Sequence, residues 1–257
     1  MRNDGVARLY LPSQWMDKLS SLLFVLNFIC VIMACFLSDV PLRIAVVFQI
    51  IFSLAFVIID ILDNGVFWFN AENARRINSI QNAFQVNLSE YTTEGYYNNE
   101  MSPSFLKYAL NTFESHFFTI AIAQKMLAKK IVEVIAAIVL FIISCLCISF
   151  EVTAIVAEAI FSSSVMIDAV SFIIYEIRMK QLYDKAYTQF VSVGIMNSEQ
   201  IVWLLSYILE YEAIKAHYRI RLDEKIFVKL NPTLSDKWNK LQDIIVLPDE
   251  VNKNGQR

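Results

Sequence analysis

The sequence predicts an all-α integral membrane protein, and three observations indicate that class. Of the 257 residues, 56% are hydrophobic and 18% are charged, which indicates strongly apolar blocks separated by polar ones. Glycine and proline are scarce, at 5 each, and no segment alternates apolar and polar residues as strands do. The apolar run 131–177 is too long for one core helix of a soluble protein. We expect four transmembrane helices in two tight hairpins, together with a cytoplasmic helical bundle.

The first hairpin is predicted within residues 1–62. Its first span is Leu19–Leu37, which is longer than the apolar centre of a signal peptide and is not followed by a clear cleavage site of small residues. A short loop, Ser38–Arg43, follows, and its Pro41 suits the first turn of a helix. The second span is Leu42–Leu62.

Residues 63–130 are predicted to form a helical insert. Apolar residues recur at helical spacing across Asn70–Leu88, which predicts an amphipathic helix. Ser89–Pro103 has the composition of a loop. We expect Ser102-Pro103 to begin the next helix, with serine as its cap and proline in its first position. That helix, Ser104–Lys130, should run on into the third span.

The second hairpin is predicted within residues 131–177. A bilayer core about 30 Å thick needs roughly 20 apolar residues for each helical crossing. The run is long enough for two crossings, and we place the reversal near Ser149–Thr153. Residues 178–257 are predicted to form a helical tail.

The tail is expected to contain three helices. Two amphipathic helices are predicted over Met179–Val193 and Ser198–Arg221, with the break between them at Gly194. A third and less regular helix is predicted over Leu222–Asn239. We expect Asn231-Pro232 to interrupt it, because proline lacks the N–H that a helix interior uses.

Lysine and arginine placement predicts the orientation. These residues concentrate in the N-terminal segment, the insert and the tail, whereas the first hairpin loop has only Arg43 and the second reversal has none. Basic segments remain on the cytoplasmic side of a membrane. We therefore expect a multi-pass protein with both termini in the cytoplasm.

Polar side chains inside the predicted spans are candidates for a pore or gate. A charge at the bilayer centre is costly, so such residues usually face a bundle interior or water. Three of them share one face of the second span, and two share a face of the fourth span beside a further acid. Hydrogen bonding between helices, with no conduction, is the alternative. The candidates are Gln49, Ser53, Asp60, Glu158, Ser162 and Asp168.

Several classes of function receive no support from the sequence. The net charge is −3 and no basic run is interleaved with aromatic residues, so we expect no DNA or RNA partner. The four cysteines lack zinc-site spacing, and His116 and His217 each lack a second ligand nearby. We expect no metal and no cofactor, and each histidine should be a satisfied residue of an amphipathic helix. No catalytic motif is present, so an enzyme is not predicted.

Three stretches carry a resemblance to a known family. They are AENARRINSIQNAF at 71–84, ALNTFESHFFTIAIAQKM at 109–126 and LNPTLSDKW at 230–238. Together with two hairpins around a long insert, they resemble the four-transmembrane, SLATT-like effector family of bacterial anti-phage systems. Members of that family are encoded beside cyclic-oligonucleotide synthases.

The resemblance implies a non-enzymatic effector in the bacterial inner membrane. Such an effector assembles as a homo-oligomer in the lipid bilayer and permeabilises or depolarises it under the control of a cyclic oligonucleotide. A bound nucleotide would contact the cytoplasmic helices, where arginine can hold phosphate and tyrosine can stack on a base. A basic face beside anionic lipid is the alternative for these residues. The candidates are Arg75, Arg76, Arg219, Arg221 and Tyr218.

Two other classes of function stay open at this point. The first is a small ion or solute transporter, or a channel unrelated to defence. The absence of glycine and proline from the span interiors weighs against this class, because transporter spans are often broken. The second is a membrane scaffold or regulatory protein that recruits a partner through its helical bundle.

Overall fold

A computed structural model describes residues 3–34, 36–91, 93–94, 97, 99, 101–147, 165–194 and 198–245. These residues are almost entirely helical, which confirms the all-α prediction. Within the described ranges, extended backbone pairs once: Asn3–Asp4 (β1) lies antiparallel to Thr93–Glu94 (β2). The reversal that we placed near Ser149–Thr153 lies outside the described residues.

Seven α-helices are present in the described part of the chain. They are α1 (Leu11–Ala34), α2 (Asp39–Leu62), α3 (Trp68–Phe84), α4 (Phe105–Cys147), α5 (Val165–Tyr187), α6 (Ser198–Tyr218) and α7 (Glu224–Gln242). A 3₁₀ turn, Ala7–Tyr10, precedes α1. Two wider π-helical turns follow α2 and α5, at Asp63–Phe67 and Thr188–Val193.

The described residues divide into two compact units. The hairpin unit is drawn from Val6–Arg75 and Lys130–Ala169. The aromatic unit is drawn from Met1–Gly5, Arg76–Lys129 and Val170–Arg257.

In the hairpin unit, α1 and α2 lie side by side along their lengths. Leu23 and Ala45 are buried, while most of the large apolar side chains of both helices point outward. Within the described ranges, one continuous helix is long and apolar enough to cross a membrane. It is Asp39–Phe84, whose most apolar stretch of 18 residues has a mean hydropathy of 2.6 and is 6% buried. Four spans were expected. Among the described residues, one helix has both the length and the apolar composition of a span.

In the aromatic unit, large rings form the core. Phe113 of α4 stacks on Phe190, with ring centroids 4.7 Å apart, and meets Trp238 of α7 edge-on at 5.6 Å. Tyr207 of α6 contacts Phe190 in turn, at 6.3 Å between centroids. The core therefore joins helices that are far apart in sequence.

The insert helices follow the prediction with shifted ends. The helix predicted over Asn70–Leu88 is α3, which ends at Phe84. The helix predicted from Ser104 is α4, which continues without a break into the predicted third span. Its cap is Ser104, whose hydroxyl accepts from the Lys107 N–H at 3.1 Å, so the expected cap at Ser102 was wrong.

Two breaks were predicted in the tail. The break at Gly194 is confirmed, and the break at Pro232 was wrong. Gly194 ends the π-helical turn with a φ of 79°, in the region that favours glycine. Pro232 was expected to interrupt the last helix, yet it lies inside α7. Leu234, Trp238 and Leu241 form a buried stripe after it. Their packing offsets the cost of about 3 kcal/mol that an interior proline imposes.

Candidate functional site

The polar stripe of α2 is the first candidate site. Gln49 and Ser53 are half-buried, and Asp60 at the end of the helix is exposed. Ser53 lies where α2 meets α1, and its hydroxyl oxygen accepts from Asn27 Nδ2 at 3.1 Å. Among the candidates that the structure describes, Ser53 is therefore engaged between helices, as the alternative to a pore requires.

Asn27 itself carries a second polar atom inside the hairpin. Its Oδ1 is buried and has no hydrogen-bond partner among the described residues. A buried acceptor without a partner costs about 1–3 kcal/mol. Polar groups at this cost are known to fix the register of packed helices, and Asn27 can do so for α1 against α2.

The carboxyl end of α2 gathers acidic side chains. Asp60 accepts from Asn64 Nδ2 at 2.9 Å, one helical turn further on. Asp63 is buried and begins the π-helical turn that separates α2 from α3. Single π-helical turns inside a helix are frequent at functional sites.

The candidates from the fourth span are only partly described. Glu158 and Ser162 lie outside the described residues. Asp168 is exposed and belongs to the first turn of α5. An acid in that turn is favourable, because the N-terminal end of a helix carries partial positive charge.

The two arginines of α3 each face a carboxylate. Arg75 Nε lies 2.8 Å from Glu72 Oε2, and Tyr10 Oη donates to Glu72 Oε1 at 2.7 Å. Arg76 Nε lies 3.9 Å from Glu212 Oε2 of α6. A phosphate that used either guanidinium would have to compete with these acids.

The remaining nucleotide candidates lie at the end of α6 and just after it. Tyr218 is half-buried, with its ring 6.0 Å from Tyr175 and 4.7 Å from His217 between centroids. Arg219 is exposed, with a φ of 52°, and Arg221 is half-buried. Of the four arginines, Arg219 is the most exposed.

A network of amides that the sequence analysis missed holds the loop between α3 and α4. Gln81 Oε1 accepts from the N–H groups of Leu88 and Ser89, both at 3.0 Å. Asn78 Nδ2 donates to the carbonyl of Tyr91 at 2.7 Å, and Asn78 Oδ1 accepts from the Thr93 hydroxyl at 2.6 Å. The amides therefore satisfy loop backbone groups that would otherwise be exposed to solvent or unpaired.

The same network reaches α4. Asn111 is fully buried, donates to Asn82 Oδ1 at 3.1 Å and accepts from the side chain of Asn99. All the helical members lie in the stretches 71–84 and 109–126 that carry the family resemblance. The signal was present as amides at helical spacing, but only the apolar periodicity of α3 was used.

His116 is a second buried polar centre, in the aromatic unit. Its Nε2 lies 2.9 Å from the Met179 carbonyl, which can only accept, so Nε2 carries the proton. Its Nδ1 then accepts from Tyr207 Oη at 3.0 Å. Burial lowers the pKa of His116 to about 3, so the ring is neutral at physiological pH. The expectation of a satisfied histidine is confirmed here.

Comparisons with known proteins return no match. No family model, no curated protein and no solved structure matches the chain. In the part of the chain that the structure describes, no group of three or more His, Cys, Asp or Glu side chains is placed to hold a metal ion. Cys30 and Cys145 are free thiols.

Proposed function

We propose that the chain is a multi-pass protein of the bacterial inner membrane. In this proposal it acts as a non-enzymatic effector of anti-phage defence that permeabilises or depolarises the membrane. The observation that supports the membrane location is the outward apolar surface of the hairpin unit. The defence role rests on the resemblance carried by the three sequence stretches.

The exposed surface of α2 is the strongest support. Ile50, Leu54 and Ile61 are each exposed by 60% or more of their surface. Keeping apolar surface in water costs about 25 cal/mol for each Å², and soluble monomers rarely expose a continuous patch of this kind. Hydrocarbon removes that cost, and the length of the helix suits a bilayer core.

The carboxyl half of α4 supports a further span. From Lys130 onward, most of the large apolar side chains that the structure describes also point outward. They include Ile131, Val132, Ile135, Ile138, Ile142 and Leu146. With the predicted reversal and fourth span, α4 and α5 would form the second hairpin. The placement of basic residues supports cytoplasmic termini.

A pore that conducts ions would need several copies of the chain. One copy offers a narrow polar stripe on α2, whereas a ring of copies could surround a water-filled path with those stripes. We propose that a cyclic oligonucleotide biases this assembly by binding the cytoplasmic helices, with Arg219 as the most accessible phosphate ligand. A ligand shifts an equilibrium only by its preference for one state.

The test is membrane potential and propidium entry in cells that express the chain, with and without a cyclic-oligonucleotide synthase. We expect depolarisation that depends on the synthase and is weakened by Asp60→Asn. The matched control is Asp236→Asn, an exposed acid of α7. A permeability that never changes at verified expression would contradict the proposal. A response unchanged by Asp60→Asn would remove only the role of that residue.

A second candidate function, a small ion or solute transporter, is favoured by one observation. The π-helical turn Asp63–Phe67 interrupts the helix Asp39–Phe84 and buries Asp63. Transporters use interrupted helices and intramembrane acids at their binding sites. Ion uptake by proteoliposomes that depends on Asp63, without depolarisation of expressing cells, would favour this candidate over the effector.

A further inference from the structure

An exposed indole stands beside a cation at the beginning of α1. Trp15 exposes 68% of its surface, whereas the indoles of Trp68 and Trp238 are buried. Lys18, three residues further along the helix, places its Nζ 5.0 Å from the centroid of the Trp15 ring. This distance is within the range of a cation–π contact, and the ring and ammonium therefore share one face of the helix.

The pair lies where the charge pattern of α1 changes. From Leu19 to Ala34 the helix contains no Asp, Glu, Lys or Arg, whereas Asp17 and Lys18 come just before it. From Trp15 to Ala34 the helix rises about 28 Å, close to the roughly 30 Å of a bilayer core. If α1 crosses a membrane, Trp15 is at the depth of the lipid headgroups.

A separate contact lies on the aqueous side of Trp15 along the helix. Tyr10 Oη donates to Glu72 at 2.7 Å, and Glu72 is also paired with Arg75. The Tyr10 ring meets Trp68 edge-on at 5.6 Å between centroids. Tyr10 precedes Trp15 by about 7 Å of helix rise, so an ionised group lies just beyond the indole.

We propose that Trp15 and Lys18 form an interfacial anchor that binds the phosphate of anionic phospholipids and sets the depth of α1 in the bilayer. This inference rests on the membrane location proposed above. Indoles concentrate at the headgroup level, where the ring is shielded and the N–H stays hydrated. A lysine there extends its ammonium to the headgroups while its methylenes cover apolar surface. Asp17, next to Lys18 in sequence, carries the opposite charge and reduces the net positive charge of this segment.

The first measurement is the depth of Trp15. Full-length protein is reconstituted in phosphatidylcholine vesicles whose lipids carry bromine either near the ester carbonyls or near the terminal methyls. The fluorescence of Trp15→Phe is subtracted from that of wild type. Because Trp15 is exposed, this substitution leaves the packed core intact, and Trp68, Trp203 and Trp238 cancel in the difference. We expect shallow bromine to quench the Trp15 signal about twofold more strongly than deep bromine.

The second measurement is the preference for anionic lipid. Brominated phosphatidylglycerol is titrated into phosphatidylcholine vesicles, and brominated phosphatidylcholine into the same vesicles as reference. We expect Lys18→Gln to lower the preference for phosphatidylglycerol at Trp15 by up to about fivefold. The matched control, Lys237→Gln in the aromatic unit, should leave it unchanged. Added inorganic phosphate should not reduce the quenching if lipid is the partner.

Each other outcome overturns the anchor. Stronger quenching by deep bromine would place Trp15 in the hydrocarbon, and quenching by aqueous acrylamide alone would place it in water. Protection from every quencher would indicate a second copy as its partner, and competition by inorganic phosphate would indicate a soluble ligand. Protein that fails to float with the vesicles would instead contradict the membrane location itself.

Discussion

The hairpin unit and the aromatic unit place their apolar residues in opposite ways. Phe113 of the aromatic unit is 0% exposed and stacks on other rings, whereas Phe36 at the tip of the hairpin is 84% exposed. The burial of apolar residues against each other is what water imposes on a chain. We attribute the reversed pattern of the hairpin unit to hydrocarbon, in which outward apolar side chains cost nothing.

The two units also differ in how they hold polar groups. In the aromatic unit, buried His116 and Asn111 have partners for their side-chain atoms, although Trp238 Nε1 has none among the described residues. In the hairpin unit, the contact between Asn27 and Ser53 leaves Asn27 Oδ1 without a partner in the described part of the chain. A dense polar network favours one arrangement of the aromatic unit. In the hairpin unit, the contact between Asn27 and Ser53 can fix the register of α1 against α2.

The largest expected effect comes from truncating a phenylalanine in each unit. Phe113→Ala should lower the free energy of unfolding of the aromatic unit by about 3–5 kcal/mol, because it empties the centre of the core. Phe36→Ala, the matched control, should change it by less than about 0.5 kcal/mol. Denaturant unfolding in mild detergent, followed by the fluorescence of nearby Trp238, measures both. Equal effects would contradict the central place of Phe113 in the core of the aromatic unit.

The next effect separates two apolar side chains of equal exposure. Ile50 of α2 is 61% exposed and Val228 of α7 is 63% exposed. Ile50→Asp should oppose membrane insertion by about 2.5–3.5 kcal/mol, because a charge near the middle of a span must leave water. Val228→Asp should have almost no effect, since its surroundings are aqueous in this account. The membrane-bound fraction of each variant is measured by carbonate extraction, and equal extraction would contradict the contrast.

A smaller effect is the dependence of the free energy of unfolding of the aromatic unit on pH. Burial disfavours the charged ring and lowers the pKa of His116 from its ordinary value of 6.5 to about 3 in the folded protein. Between these values the unfolded chain binds more protons, so the free energy of unfolding falls as the pH drops below 6.5. The slope from this group cannot exceed about 1.4 kcal/mol for each pH unit.

The matched variants for this pH effect are His116→Gln and His217→Gln. The first removes the titrating ring and should flatten the slope between pH 6 and pH 4 by roughly one proton. The second changes an exposed histidine and controls for the loss of an imidazole from the chain. Denaturant midpoints at several pH values give the slope, and an unchanged slope in His116→Gln would contradict the buried neutral ring.

The smallest expected effect is at the hairpin contact. Ser53→Ala removes the acceptor for Asn27 Nδ2 and should weaken the pairing of α1 with α2 by about 0.6 kcal/mol, the average for hydrogen bonds between membrane helices. Asn111→Ala should cost about 1–3 kcal/mol, because Asn82 and Asn99 would lose a buried partner. Thermal unfolding in one detergent compares them, and a larger loss for Ser53→Ala would reverse the account of the two networks.

The sequence predicted the helices better than their ends or their contacts. The apolar periodicity of Asn70–Leu88 and the length of the run after Ser104 were sufficient to place α3 and α4. The predicted break at Pro232 was wrong, because a local rule for proline does not take account of the packing of Trp238 against Phe113. Propensity is a weak guide wherever tertiary packing decides.

The candidate sites depended even more on distant parts of the chain. His116 was predicted to be satisfied, but its partners are 63 and 91 residues away and no local pattern identifies them. The carboxylate beside Arg76 belongs to α6, so the ion pair could not be anticipated from α3 alone. Contacts of this kind follow from topology, which a single sequence specifies only as a whole.

The central claim is that the hairpin unit turns its apolar side chains outward into lipid. The most direct test of this claim is cysteine accessibility in cells. In a background without the four native cysteines, Phe36→Cys and Lys237→Cys are treated with a maleimide that cannot cross the inner membrane. The account expects both variants in the membrane fraction, labelling of the Phe36→Cys variant in intact spheroplasts, and labelling of the Lys237→Cys variant only after lysis. Recovery in the soluble fraction, or protection of both variants until lysis, would contradict a hairpin whose apolar surface faces lipid.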